Sequence, residues 1–131
     1  MAKEGLAPGL RGEARLVVTE EDTAQHLGSG NVAVLATPRM IALMESASVK
    51  AVDHLLPPGQ ATVGSEIRVR HLAATPQGME VTVHSALVEV EGRRLTFKVE
   101  AFDEREKIGE GTHIRFIIDL DRFREKVKAK G

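Results

Sequence analysis

The sequence predicts an α+β domain, one long buried helix with an antiparallel sheet. Two observations predict it. A stretch from Thr37 to Leu55 repeats apolar residues at helical spacing and holds few charges. Strand-like runs joined by short turns follow it, so those strands should pair as antiparallel neighbours.

Residues 1–12, rich in Gly and Pro, read as a loose lead-in. Ala14 to Thr19 reads as a strand, and Glu20 to Asn31 as a loop or short helical turn around Gly28-Ser29-Gly30. Thr37 suits a helix N-cap, with Pro38 pre-set for the first helical position. Met40, Ile41, Leu43, Met44, Ala47, Ala51, Val52 and Leu55 then recur on a helical period until Pro57-Pro58-Gly59 stops the helix. About 19 residues give roughly 28 Å, enough to cross a small domain. Thr62 to Ala73 alternates, with Val63, Ile67, Val69 and His71 on one face and Glu66, Arg68 and Arg70 on the other. Thr75 to Gly78 is a turn, Met79 to Glu91 a strand, and Gly92-Arg93 a tight hairpin. Leu95 to Ala101 and Lys107 to Leu120 complete the set, with Gly109 and Gly111 marking bulges or close backbone approach. Asp121 is expected to cap a short terminal helix over 121–131. A curved antiparallel sheet wrapped around one long buried helix is the hotdog arrangement, and residues 1–131 are read as a single such domain.

Composition narrows the function classes. At 131 residues the chain buries a core without cross-links. Hydrophobic residues make up 42% and the only aromatics are four Phe, so Val, Leu, Ile and Ala must fill that core. With no Cys, disulfides, thiolate metal sites and a thiol nucleophile are excluded. No apolar run approaches the length of a membrane span. Met1 to Arg15 lacks the apolar segment of a signal peptide, so a cytoplasmic location is expected. A net charge of −1 with interspersed signs argues against nucleic acid. The basic residues Arg122, Arg124, Lys126, Lys128 and Lys130 read as the solvated face of the terminal helix.

Against this background three polar residues stand on apolar elements: Thr37, Glu45 and His71. A hydroxyl, a carboxylate and an imidazole are the parts of hydrolytic sites, and apolar surroundings make each costly without a partner. Each also has a structural reading. Thr37 caps the helix, though a hydroxyl at a helix N-terminus also meets developing negative charge. Glu45 lies on or beside the packed face, as a catalytic group or as a rim residue paired with Arg39 or Lys50. His71 shares parity with Val69 and Ile67, as a reactive or a buried structural histidine. His84 and His113 are comparable strand histidines, whereas His26 and His54 read as exposed or near helix ends. Gly64 permits a bulge. Arg115 offers a clamp for a phosphate or carboxylate, but alternation favours a solvent-facing position. No set of His and carboxylates has metal-ligand spacing, so no metal is expected.

Four segments resemble one family. Leu35-Ala36-Thr37-Pro38-Arg39-Met40-Ile41-Ala42-Leu43-Met44-Glu45 is similar to the helix start of fluoroacetyl-CoA thioesterase and its relatives. So are Arg70-His71-Leu72-Ala73-Ala74-Thr75-Pro76-Gln77-Gly78-Met79, Val90-Glu91-Gly92-Arg93-Arg94-Leu95 and Gly109-Glu110-Gly111-Thr112-His113-Ile114-Arg115. The resemblance runs in register from about Gly12 to the Lys-rich end. It implies a hotdog homodimer, with pairing into tetramers left open, that hydrolyses an acyl-CoA thioester at the interface. It implies Thr37, Glu45 and His71 as the catalytic set, Gly64 and Arg115 as substrate-positioning residues, and no cofactor beyond the CoA of the substrate. The chain departs from the family's fluoroacetyl-selective member at Gly28-Ser29-Gly30-Asn31-Val32-Ala33-Val34. That stretch holds none of the gating phenylalanines, so a broader or different short acyl group is expected.

In chemical terms, Glu45 supplies the nucleophile or base for the thioester carbonyl. Thr37 or a backbone N–H at the helix start meets the oxyanion, and His71 shuttles a proton. A non-catalytic acyl-CoA-binding dimer is the alternative. A hotdog hydratase ranks last, since the chain shows no closely spaced Asp and His pair on a short helix and loop.

Overall fold

The computed structural model describes residues 5–131; the first four residues of the expected lead-in lie outside it. Strand β1 spans Arg11–Val17. A 3-10 turn, Glu20–Asp22, and the one-turn helix α1, Ala24–Leu27, fill the segment read as a loop or short turn. Helix α2 runs Thr37–Val52 and tightens into a 3-10 turn, Asp53–Leu55, ahead of the two prolines. Strands β2 (Gln60–His71), β3 (Glu80–Glu91), β4 (Arg94–Phe102) and β5 (Lys107–Asp119) follow, then helix α3 (Leu120–Lys128). The strands form one antiparallel sheet in the order β1-β3-β4-β5-β2, leaving β1 and β2 at its edges.

Helix α2 lies on one face of this sheet, chiefly against β1 and β3. Met40, Leu43, Met44, Ala47, Ala51 and Val52 meet Val81, Val83, Leu87, Leu95, Phe97 and Val99 in a core with a single buried Phe. Small residues set the helix height. A Cβ on Gly12 would overlap the Ala47 carbonyl, and one on Gly109 would lie 2.5 Å from Met40 Sδ. The hairpin at Gly92 takes φ +61°, a left-handed backbone that favours glycine. Inside the core, Ser85 and Ser48 share a 2.7 Å hydrogen bond while Ser48 also donates to the Met44 carbonyl. Both buried hydroxyls are thereby satisfied.

Three local expectations are corrected. The N-cap of α2 is Ala36, not Thr37, which is the first helical residue. Its hydroxyl is free of capping because it is engaged elsewhere, as described below. Asp119 rather than Asp121 precedes α3, because β5 hands directly into the helix. The third correction concerns parity. Ser65 is an extra residue between Gly64, opposite Arg115, and Glu66, opposite Ile114. This bulge inverts the alternation. Val63 therefore faces away from the helix with the exposed Phe116, while Thr62 turns inward; Arg115 lies inward by the unbroken alternation of β5, together with His113 and Ile117.

Candidate active site

The start of α2 is tied to the end of β2 by the segment before it. Asp22 accepts from Thr19 and Arg39, and Ala36 donates to the Asp22 carbonyl. Burial pushes the Asp22 carboxyl up, but hydrogen bonds from Thr19 and Arg39 outweigh it and hold it below the usual range. Leu35 donates to the Thr75 carbonyl, and Val34 bridges to Pro76 just beyond β2. These ties bring Thr37 to His71, with Oγ1 and Nδ1 2.7 Å apart. Thr37 is exposed and His71 half-buried. The other ring nitrogen, Nε2, is buried and has no hydrogen-bond partner among the described residues. Burial lowers the His71 pKa from its ordinary 6.5, so the imidazole is neutral at neutral pH. Thr37 and His71 line a recess of about 360 Å³ whose wall includes Ser29, Val34 and Leu72.

A second recess, about 230 Å³, opens farther along α2 and is lined by Glu45, Gly64, Ser65, Glu66, Ile67 and His113. Gly64 makes room for it. A Cβ there would stand 3.1 Å from His113 Cε1 and 3.3 Å from both Arg115 Nη1 and Glu45 Oε2. Arg115 is 7% exposed, contrary to the solvent-facing position expected from alternation. Its Nε donates to Thr62 Oγ1 at 2.8 Å, Nη2 to the Thr62 carbonyl at 2.9 Å, and Nη1 to His113 Nε2 at 3.1 Å. Thr62 is in turn held by Asp53, which accepts from its hydroxyl at 2.6 Å and its backbone N–H at 3.1 Å. Burial lowers the Arg115 pKa, opposed by the charges of Asp53 and Glu45. No carboxylate among the described residues pairs with Arg115 within salt-bridge distance. A buried guanidinium held by neutral acceptors and close to a glycine-lined recess is suited to a polar or anionic ligand group.

The five residues singled out in the sequence thus fall into two clusters. Thr37 and His71 meet; Glu45, Gly64 and Arg115 meet; no described residue lines both recesses. Eight residues separate Thr37 from Glu45, roughly 12 Å of helical rise. Thr62 and Asp53 were not anticipated, and the signal that would have found them is the Gly64-Ser65 bulge. His84 lies on the outer face, 3.6 Å from Glu13 and edge-on to Phe102. No group of three or more His, Asp or Glu placed to hold a metal occurs among the described residues.

The chain as a whole matches a known family. A family profile described as FlK, fluoroacetyl-CoA-specific thioesterase, matches residues 18–121. The chain belongs to this family. The fluoroacetyl-CoA thioesterase of Streptantibioticus cattleyicolor is 43% identical over 98% of this chain and 96% of its own length. A solved structure of the fluoroacetyl-CoA thioesterase FlK superimposes with a TM-score of 0.90 at 41% identity, covering 97% of this chain and 98% of that one. A hot-dog-like protein from Thermanaerovibrio acidaminovorans superimposes with a TM-score of 0.89 at 24% identity, over 98% of this chain and 95% of its own. The hotdog architecture expected from the sequence is therefore the architecture of this thioesterase family member.

Proposed function

We propose that this thioester hydrolase cleaves short acyl-CoA thioesters at a site shared between two copies of the chain. The observation that carries the chemistry is the 2.7 Å contact between Thr37 and His71, with His71 Nε2 buried and unpartnered among the described residues. A substrate group or a second chain is what such a nitrogen lacks.

Each residue has a role in this reading. Glu45 either deprotonates a water that attacks the thioester carbonyl, or attacks with its own oxygen to form a mixed anhydride that water then hydrolyses, regenerating the carboxylate. Thr37 meets the negative charge that builds on the carbonyl oxygen. His71, neutral at rest, takes up the proton released by the attacking water and returns it to the departing thiolate, ending neutral again. Gly64 leaves room for the acyl group, and Arg115 fixes its polar end. The products are a carboxylate and free CoA thiol.

Sharing between copies is supported by the position of β2. This 12-residue strand stands at a sheet edge, with His71 at one end and Gly64 toward the other. A long free edge is a template for strand pairing. Two β2 edges paired antiparallel about a two-fold axis set the His71 end of one chain beside the Gly64 end of its partner. The two clusters then face each other across a homodimer interface.

The acyl preference we propose is broad among short groups. Ser29 and Val34 line the Thr37 recess, and no aromatic occupies 28–34 to close over a small acyl group. The test is thiol release across a panel of short acyl-CoAs, fluoroacetyl-CoA included, with Glu45→Ala as control. Glu45→Ala should lose about 10²- to 10⁴-fold in turnover. A folded Glu45→Ala protein with full turnover would falsify the assignment. Tight CoA-ester binding with no release from any substrate would make the chain an acyl-binding module instead.

A further inference from the structure

His113 is buried to 1% exposure, yet no role in the reaction is assigned to it above. Its hydrogen bonds define its chemical state. Nδ1 lies 2.8 Å from the Glu66 carbonyl, which only accepts, so Nδ1 carries the proton. Nε2 lies 3.1 Å from Arg115 Nη1, which only donates, so Nε2 presents its lone pair. The ring is a neutral imidazole with both nitrogens engaged. It also shares the inner face with Ile67, its cross-strand neighbour, and tilts against Phe97.

The Glu66 carbonyl comes from the residue that follows the bulge. His113 therefore connects the bulged backbone of β2 to the Arg115 guanidinium. Among the described residues Arg115 has one other side-chain acceptor, Thr62 Oγ1, and that contact is made through Nε. Nη1 is the nitrogen 3.3 Å from the space a Gly64 Cβ would fill. The group that orients the nitrogen nearest the recess is thus His113.

We propose that His113 is a positioning residue for substrate recognition: it accepts a hydrogen bond from Arg115 and holds that guanidinium toward the Gly64 recess. The proposal rests on the reading that this recess takes the substrate. His113 takes no part in proton transfer in this role, since both of its nitrogens are committed.

Two substitutions separate the nitrogens. In His113→Gln the terminal amide reaches as far as Nε2 and restores an acceptor for Arg115. In His113→Asn the amide reaches only as far as Nδ1, keeps the bond to Glu66 and loses the one to Arg115. The measurement is kcat and KM on the best acyl-CoA of the panel, with folding checked by thermal melting. His113→Asn should raise KM roughly tenfold with a smaller change in kcat, and His113→Gln should stay near wild type. With Arg115→Ala already in place, His113→Asn should add little, because the group it positions is gone. Should His113→Asn fail to fold, His113→Met fills similar volume without an acceptor and carries the same expectation. Equal KM for the Asn and Gln variants overturns the positioning role. So does a His113→Asn loss that remains undiminished beside Arg115→Ala. If Arg115→Ala and Glu45→Ala both leave turnover intact, it is the reading of the recess itself that fails.

Discussion

The two ends of the candidate site are built differently. At the start of α2, Thr37 is exposed, contacts His71 through one hydrogen bond, and leaves His71 Nε2 without a partner among the described residues. At the Gly64 recess, Arg115 is buried and held by three hydrogen bonds within a chain running Asp53–Thr62–Arg115–His113–Glu66. The first end is chemically incomplete and the second is pre-organised. A fixed cation orients ligand without rearranging on binding, whereas a group that must exchange protons needs an open valence. In the proposed reading the open end supplies the hydroxyl and imidazole, and the pre-organised end supplies Glu45 beside a fixed cation.

The largest expected effect tests whether the ends belong to different chains. Thr37→Ala and Glu45→Ala should each lower turnover by about 10²- to 10⁴-fold. Mixing the two variants with subunit exchange should restore about one quarter of wild-type activity, because each mixed dimer keeps one intact site. Mixing that restores nothing, with exchange verified, would place both ends in one chain.

A smaller effect is expected at the recognition end. Gly64→Ala puts a methyl 3.1 Å from His113 and 3.3 Å from Arg115 and Glu45, in a network with little slack. Overpacking of this kind costs about 1–3 kcal/mol, so KM should rise about tenfold. An unchanged KM would remove the recess from substrate binding.

The smallest effect concerns stability and pH. His71 and His113 are both lowered from 6.5, chiefly by burial. The unfolded chain therefore takes up these protons first as pH falls. Their contribution to stability is complete above pH 6.5 and is lost as pH drops through the lower folded values. Urea midpoints should be flat just above pH 6.5 with respect to these groups and should decline below it. His113→Gln should flatten part of that decline. An identical decline in His113→Gln would show that the buried recognition end does not contribute.

Much of the fold was legible along the chain. The apolar period of α2, Pro38 near its start and Pro57-Pro58 after it mark a helix whatever surrounds it, because local sterics and one-sided burial impose them. The Gly92 hairpin and the β3–β4 alternation are similarly local. Thr37, Glu45, His71 and Gly64 stand out as candidates from residue type and family resemblance. Arg115 was identified as a clamp but assigned the wrong face by simple alternation. β5 carries apolar residues on both faces, Ile114 and Phe116 on one and Ile117 on the other, so its alternation does not choose between them; on β2 a bulge of a single residue, Ser65, separately reverses Thr62 and Val63, which alternation cannot register without the partner strand.

The cap assignment failed for a related reason. Thr37 has the residue type of an N-cap, but its hydroxyl is drawn to His71, 34 positions away, so Ala36 takes the cap position. The sequence by itself determined the helix, the strands and the apolar core, and it singled out the candidate site groups, since these follow from periodicity and side-chain chemistry. Only the tertiary structure decided that Thr37 meets His71, that Arg115 points inward and is held by His113 and Thr62, and that Glu45 stands apart from Thr37. Those pairings depend on strand register and on the height of α2 above the sheet, which are properties of packed partners and not of any one segment.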